Sequence, residues 1–192
     1  QTDGKIPYVE ITDSPRFSYR GFMLDCGRYF YTVDEVKRII DLMALHKLNA
    51  LHWHLTEDQG WRIEIKSHPE LTRIGAFRNN GKSPGPDNGY YTQEQLKELV
   101  EYAAARNIEI IPEIDLPGHS LTMATMHPEI LCRYTPNTSS AFGYDTRSAF
   151  CASKQSNYEL LAEEIERTRR RVNALEHIMM PRYLAAIRSI RS

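Results

Sequence analysis

The chain has 192 residues, 41% of them apolar and 26% charged, with a formal net charge of −1, the make-up of an ordinary soluble domain of roughly 100 to 200 residues. Such balanced charge offers no basic surface for nucleic acid or an anionic membrane, and no apolar run approaches the ~20 residues of a membrane span. Gln1-Thr-Asp-Gly-Lys5 lacks the basic start and apolar stretch of a signal peptide, but a processed periplasmic or secreted chain would begin the same way, so localisation stays open.

The first predicted element is a buried strand, Tyr19 to Asp25, a short apolar run ending in a carboxylate. Thr32-Val-Asp-Glu35 is a capping box, and Val36, Ile39, Ile40, Met43 and Leu45 continue it as a helical stripe. Ala50 to Leu55 predicts a second strand. A polar stretch with Gly81, Pro84, Gly85, Pro86 and Gly89 follows. A second capping box, Thr92-Gln-Glu-Gln95, opens a helix with Leu96, Leu99, Val100 and Ala103 inward, and Ile108 to Asp115 predicts the third strand. Strands alternating with helices of this length indicate βαβ units in a parallel sheet with helices outside.

The carboxyl ends of the three strands carry the chemistry. Asp25 with Arg28, Glu57 with Asp58, and Asp115 with His119 all fall at or just after a strand end, the face on which α/β barrels build their sites. Any one of these groups alone reads as a helix cap or a structural ion pair. Three at one end of one barrel read as a site. Trp53 alternates with His52 and His54 and predicts core packing, whereas Trp61 either floors a sugar site or covers the barrel. His52, His54 and His119 raise a metal centre as a rival, because residues two apart on a strand point the same way. An apolar strand whose inward face packs as barrel core argues against it, and neither a metal nor any other cofactor is expected. Cys26 reads as a buried thiol, while Cys132 and Cys151 flank a Ser/Thr/Asn-rich loop that they could close as a disulfide in an exported protein.

Three long stretches carry a family resemblance: Ser14-Pro-Arg-Phe-Ser-Tyr-Arg-Gly-Phe-Met-Leu-Asp-Cys-Gly-Arg28, Lys47-Leu-Asn-Ala-Leu-His-Trp-His-Leu-Thr-Glu-Asp-Gln-Gly-Trp61 and Ile111-Pro-Glu-Ile-Asp-Leu-Pro-Gly-His119. They resemble the first three strand signatures of family 20 glycoside hydrolases, over about residues 6–165. The resemblance implies a β-N-acetylhexosaminidase in a (β/α)₈ (TIM) barrel, acting on terminal N-acetylhexosamine of a glycan with retention of configuration. In that family the substrate's own acetamido oxygen replaces the enzyme nucleophile. An Asp-Glu pair in a His-x-Gly-Gly-Asp-Glu motif then orients the acetamido group and supplies the acid and base. By the same resemblance Arg28 binds hydroxyls at the non-reducing end. Glu57, where most members have Asp, works with His119 beside the acid, and Asp58 and Asp115 support the pocket. Arg20 matches no binding role.

The pair itself is not in this sequence. Its last glycine is Gly143, so no Gly-Gly-Asp-Glu follows Cys151, and the one adjacent Asp-Glu is Asp34-Glu35 in the first capping box. The expectation is therefore a partial barrel of about three to four βα units over residues 1–158, truncated before its catalytic residues and inactive as it stands, with two unpaired strand edges and an uncovered apolar face. Residues 159–192 form a C-terminal helical tail. After Glu166 it has seven arginines against Glu176 alone, a balance of +6. Leu161, Ile165, Thr168, Val172, Leu175 and Met179 step four and three, a coiled-coil seam. The run Arg171-Val-Asn-Ala-Leu-Glu176 resembles the hairpin of the central-stalk D subunit of rotary V- or A-type ATPases. The alternative reading is thus a non-catalytic interaction protein, using a helical partner or self-association through the tail, or a residual sugar binder.

Overall fold

The computed structural model describes residues 8–77, 88–132 and 149–160. Most of the Gly/Pro-rich insertion, the loop between Cys132 and Cys151 and the basic tail from residue 161 onward, where the coiled-coil seam is expected, lie outside the described residues.

The elements run β1 (Gly21–Asp25), α1 (Val33–Leu45), β2 (Ala50–His54), β3 (Thr56–Glu57), β4 (Gly60–Trp61), α2 (Glu70–Arg73), α3 (Gln93–Ala104), β5 (Glu109–Glu113) and α4 (Leu121–Met126). β1, β2 and β5 form a parallel sheet in that order, and β3 pairs with β4 in a short antiparallel hairpin. Among the described residues β1 and β5 each keep one unpaired edge.

Both capping boxes form. Thr32 and Thr92 accept from the backbone of Glu35 and Gln95, whose side chains return the bond, each cap contributing about 1 kcal/mol. Both helices also end alike. After α1, Lys47 sits at φ 58°, its N–H bonds Ala44 O, and Leu48 N–H reaches Met43 O at 2.9 Å. After α3, Asn107 sits at φ 56° and Ile108 N–H reaches Ala103 O at 3.0 Å. This left-handed turn closes the last carbonyls and delivers an apolar residue into the next strand. Leu45, read as part of the buried stripe, is exposed, because it lies two residues beyond buried Met43, roughly 200° round the helix and so on its outer face. Val36, Ile40 and Met43 of α1 and Leu96, Leu99 and Ala103 of α3 are buried as the spacing implied.

Register separates the two faces of the sheet. Leu51 pairs with Phe22 and Ile110, and Trp53 with Leu24 and Pro112; most of these join the helices in one core, each large side chain worth roughly 1.5–3 kcal/mol on burial. The other rows, Met23–His52–Ile111 and Asp25–His54–Glu113, form the opposite face, where a closed barrel has its interior. Among the described residues no further strand closes over that face, and it is not simply apolar, because four of those six positions hold His, Asp or Glu.

Two buried residues tie the loops to this frame. Arg62 is fully buried and donates to the carbonyls of Cys26, Gly27, Ala76 and Gly89 at 2.8–3.2 Å, so one guanidinium joins the loop after β1 to both ends of the insertion. Trp61 is also core, its indole donating to Ile63 O at 2.8 Å, which removes it as a sugar platform. Trp53 packs on Tyr91 and donates to the buried Cys26 thiol. Arg20 serves the backbone, bonding the carbonyls of Phe17, Ser18 and Lys47. Cys132 and Cys151 are disulfide-bonded and Cys26 is a free, buried thiol.

Candidate functional site

Parallel strands that start level end level, so β1, β2 and β5 place their terminal residues along one rim. Glu57, just beyond β2, is its centre: the residue is 1% exposed, yet its carboxylate meets an arginine, a histidine and a backbone amide. Oε1 accepts from the Arg28 guanidinium and stands 2.7 Å from His119 Nδ1, and Oε2 accepts from the backbone N–H of Asp58 at 2.6 Å. Burial alone would push this carboxyl up, but His54, the Asp58 amide, Arg28 and His119 together outweigh it and hold Glu57 below the usual carboxylate range.

Arg28 is the outward face of this cluster. Its Nη1 meets Asp25 Oδ2 at 2.5 Å and its backbone N–H meets Asp25 Oδ1 at 3.0 Å, while the side chain stays half exposed. A planar fork braced by Asp25 and Glu57 is held in one orientation. His119 is held in the left-handed region, at φ 53°, a conformation costing roughly 1–2 kcal/mol for a residue with a β-carbon. Its Nε2 lies 4.0 Å from Asp115 Oδ2, and Asp115 is tied to the rim by its N–H on Thr56 Oγ1 at 3.0 Å.

Arg28, Glu57, Asp115 and His119 thus converge, while Asp58 faces elsewhere. It is buried, its Oδ1 accepts from Leu121 N–H at 2.9 Å and its carbonyl accepts from Thr122 Oγ1 at 2.9 Å. Asp58 therefore fastens the β3–β4 turn to the start of α4. Burial, with the neighbouring Glu57 charge, raises its pKa.

Three residues of the rim escaped the candidate set. His52 Nε2 and His54 Nδ1 both lie on Glu113 Oε2, at 2.6 and 2.8 Å, so the two histidines converge on a carboxylate rather than on packed core. His54 Nε2 stands 3.8 Å from Glu57 Oε1, within range of its charge but beyond a hydrogen bond. Burial disfavours the imidazolium, yet Glu57, Glu113 and Asp25 prevail and raise its pKa to about 9. The available signal was register: Asp25, His54 and Glu113 share one row of the sheet.

Two groupings here, Glu57–Asp58–His119 and His54–Glu113–Asp115, bring donor atoms within 4.8 Å of one another. For the first, the adjacent Arg28 already supplies the positive charge a divalent ion would bring.

The catalytic-domain profile of glycosyl hydrolase family 20 matches residues 17–176, extending past the 158/159 boundary set from the sequence. The chain is 43% identical over 164 residues to a beta-hexosaminidase of Porphyromonas gingivalis, covering 84% of this chain and 21% of that protein. It is 50% identical over 134 residues to a beta-hexosaminidase of Vibrio furnissii, covering 66% and 22%. Among solved structures, an exo-beta-N-acetylglucosaminidase of Vibrio harveyi in complex with N-acetylglucosamine superposes with TM-score 0.68 at 42% identity, covering 81% of this chain and 26% of that one. A beta-N-acetylhexosaminidase of Bacteroides fragilis gives TM-score 0.69 at 40% identity, covering 82% and 30%. The chain spans about a fifth of the length of the two curated relatives.

Proposed function

The chain belongs to glycosyl hydrolase family 20, and from that premise we propose that its rim residues form part of a pocket for the terminal N-acetylhexosamine of a glycan. The observation that carries this reading is the buried Glu57 carboxylate held between Arg28 and His119 at the carboxyl end of the sheet. Arg28 presents its guanidinium to hydroxyls at the non-reducing end. His119, its Nδ1 2.7 Å from Glu57 Oε1, stands beside the place of the acid with Asp115 next to it, while Asp58 fastens the adjoining turn to the start of α4. The reaction of the whole site is retaining, substrate-assisted hydrolysis, with the acetamido oxygen as nucleophile. That chemistry needs two further carboxyl groups in a Gly-Gly-Asp-Glu setting, which the 192 residues do not contain.

The 192-residue polypeptide accordingly binds sugar without turning it over. Incubated with a nitrophenyl N-acetyl-β-glucosaminide, it releases no nitrophenol beyond buffer, and turnover abolished by His119→Ala would sink this reading. Titrated with N-acetylglucosamine and followed by NMR, it shows saturable shifts that weaken at least about tenfold in Arg28→Ala, since a charged hydrogen bond is worth ~1.5–3 kcal/mol. Shifts unchanged by Arg28→Ala would remove the sugar-binding assignment.

A second reading concerns the tail, where the four-three spacing favours a helical partner or self-association. Deleting residues 159–192 then lowers the sedimenting mass to that of a monomer; an unchanged distribution rules the tail out as the contact.

A further inference from the structure

We propose that His68, Glu70 and His127 form a site for a divalent cation of the zinc class, joining the start of α2 to the end of α4. The three side chains lie outside the sugar rim, in the segment before α2, in its first turn and at the C-terminal cap of α4. His68 Nδ1 and His127 Nε2 converge on one oxygen, Glu70 Oε1, each at 3.0 Å. The rings meet edge to face at 5.1 Å, and all three residues are only partly exposed.

Two observations fit an ion at this cluster. One is the environment of His127: its other nitrogen, Nδ1, lies 2.9 Å from Glu129 Oε1. A ring that gives its Nδ1 proton to Glu129 can offer Nε2 as a lone pair to an ion seated between it and Glu70. His68 presents a second nitrogen to that same oxygen, and a single cation answers both. Carboxylate, histidine and metal in line is the arrangement by which outer carboxylates fix the tautomer of a ligating imidazole.

The other is dimension and charge. In a tetrahedral zinc site with ligand bonds of ~2.0–2.1 Å, neighbouring donor atoms stand about 3.3 Å apart, close to the 3.0 Å found here. All three donor atoms fall within 4.8 Å of one another. The Glu70 and Glu129 carboxylates, both held below their usual range, bring a charge of −2, which a divalent cation balances. Two histidines and a carboxylate are a donor set that zinc takes readily, with water completing the shell. The ion would brace α4, whose first residues hold Asp58, and the proposal stands whether or not the rim binds sugar.

The test uses the full chain, stripped with a chelator and titrated with Zn²⁺ by calorimetry and with Co²⁺ by visible absorption. The expected result is one equivalent bound, a cobalt spectrum of tetrahedral intensity and a raised melting temperature. Binding is lost in His127→Asn and Glu70→Gln, weakened about 10- to 100-fold in Glu129→Gln, and kept in His119→Ala; circular dichroism confirms that each variant is folded. Absence of stoichiometric binding by the unaltered chain overturns the proposal. Binding that persists in both His127→Asn and Glu70→Gln, or that disappears in His119→Ala, overturns it equally, since the ion then sits elsewhere.

Discussion

A β-carbon placed on Gly27 would stand 2.8 Å from Cβ of Glu57 and 3.2 Å from its Cγ, so the loop after β1 lies against the central carboxylate with no room for a side chain. Gly27 thereby sets how closely Arg28 approaches Glu57. Gly27→Ala should cost about 1–3 kcal/mol of stability, as overpacking does, because Glu57 is walled in by His54, His119 and Asp58. Urea denaturation reads the loss and N-acetylglucosamine titration reads the accompanying fall in affinity. A variant with unchanged midpoint and unchanged sugar shifts would show that the contact relaxes freely and that Glu57 is not pinned.

The histidine row makes stability depend on pH from both sides. His54 has a folded pKa of about 9, above its ordinary 6.5, so its contribution is fully present below about pH 6.5 and is lost as pH rises through 9. Glu57 is shifted down, so its contribution is present above the ordinary carboxylate pKa and is lost as pH falls toward the lowered one. The His54 part is at most about 3 kcal/mol. Melting temperature should therefore fall between pH 7.5 and 9.5, and His54→Gln should flatten that limb. An NMR titration placing the His54 imidazole midpoint near 6.5 would contradict the argument.

Sequence pattern was enough for the elements that depend on neighbours along the chain. Capping boxes at Thr32 and Thr92, the stripes of α1 and α3 and three strands with Asp25, Glu57 and Asp115 at or just after their ends were all readable, because helix period, caps and strand-end carboxylates are local features. What escaped depends on register. The row joining Asp25, His54 and Glu113 exists only once three parallel strands are aligned, so His52 and His54 looked like core when read along one strand. Arg62 escaped for a related reason: its four carbonyl partners come from two loops, and nothing next to it in sequence announces them. Asp58 was read as a site residue and lies at the site, but its bonds to Leu121 and Thr122 give it the work of a bracket.

Arg62→Lys tests that hidden frame. A lysine ammonium keeps the charge but is a point donor and cannot span carbonyls on opposite sides, so several buried acceptors lose their partner at ~1–3 kcal/mol each. The expected loss is about 2–4 kcal/mol, with faster amide exchange in the loop after β1 and around Ala76 and Gly89. A loss below about 0.5 kcal/mol would mean that water or lysine serves those carbonyls equally well.

The disulfide offers the last test, because it is not the sole tie on its segment. Cys151 N–H bonds Ile130 O at 2.9 Å, Asn157 Nδ2 bonds the same carbonyl at 2.8 Å and Lys154 Nζ reaches Glu129 O at 2.8 Å, so the ground around Cys151 is anchored by hydrogen bonds as well as by sulfur. Cys151→Ser should then leave the far-ultraviolet spectrum intact while removing about 3 kcal/mol, the loop-closure contribution of a bridge spanning 19 residues. The unaltered chain in dithiothreitol should match the variant in oxidising buffer. Cys26 supplies the internal control. Burial raises its pKa, so in the oxidised native chain a thiol reagent should find nothing to label until denaturant is added, and then one thiol. Equal stability with and without reductant would mean that the hydrogen bonds alone hold the segment.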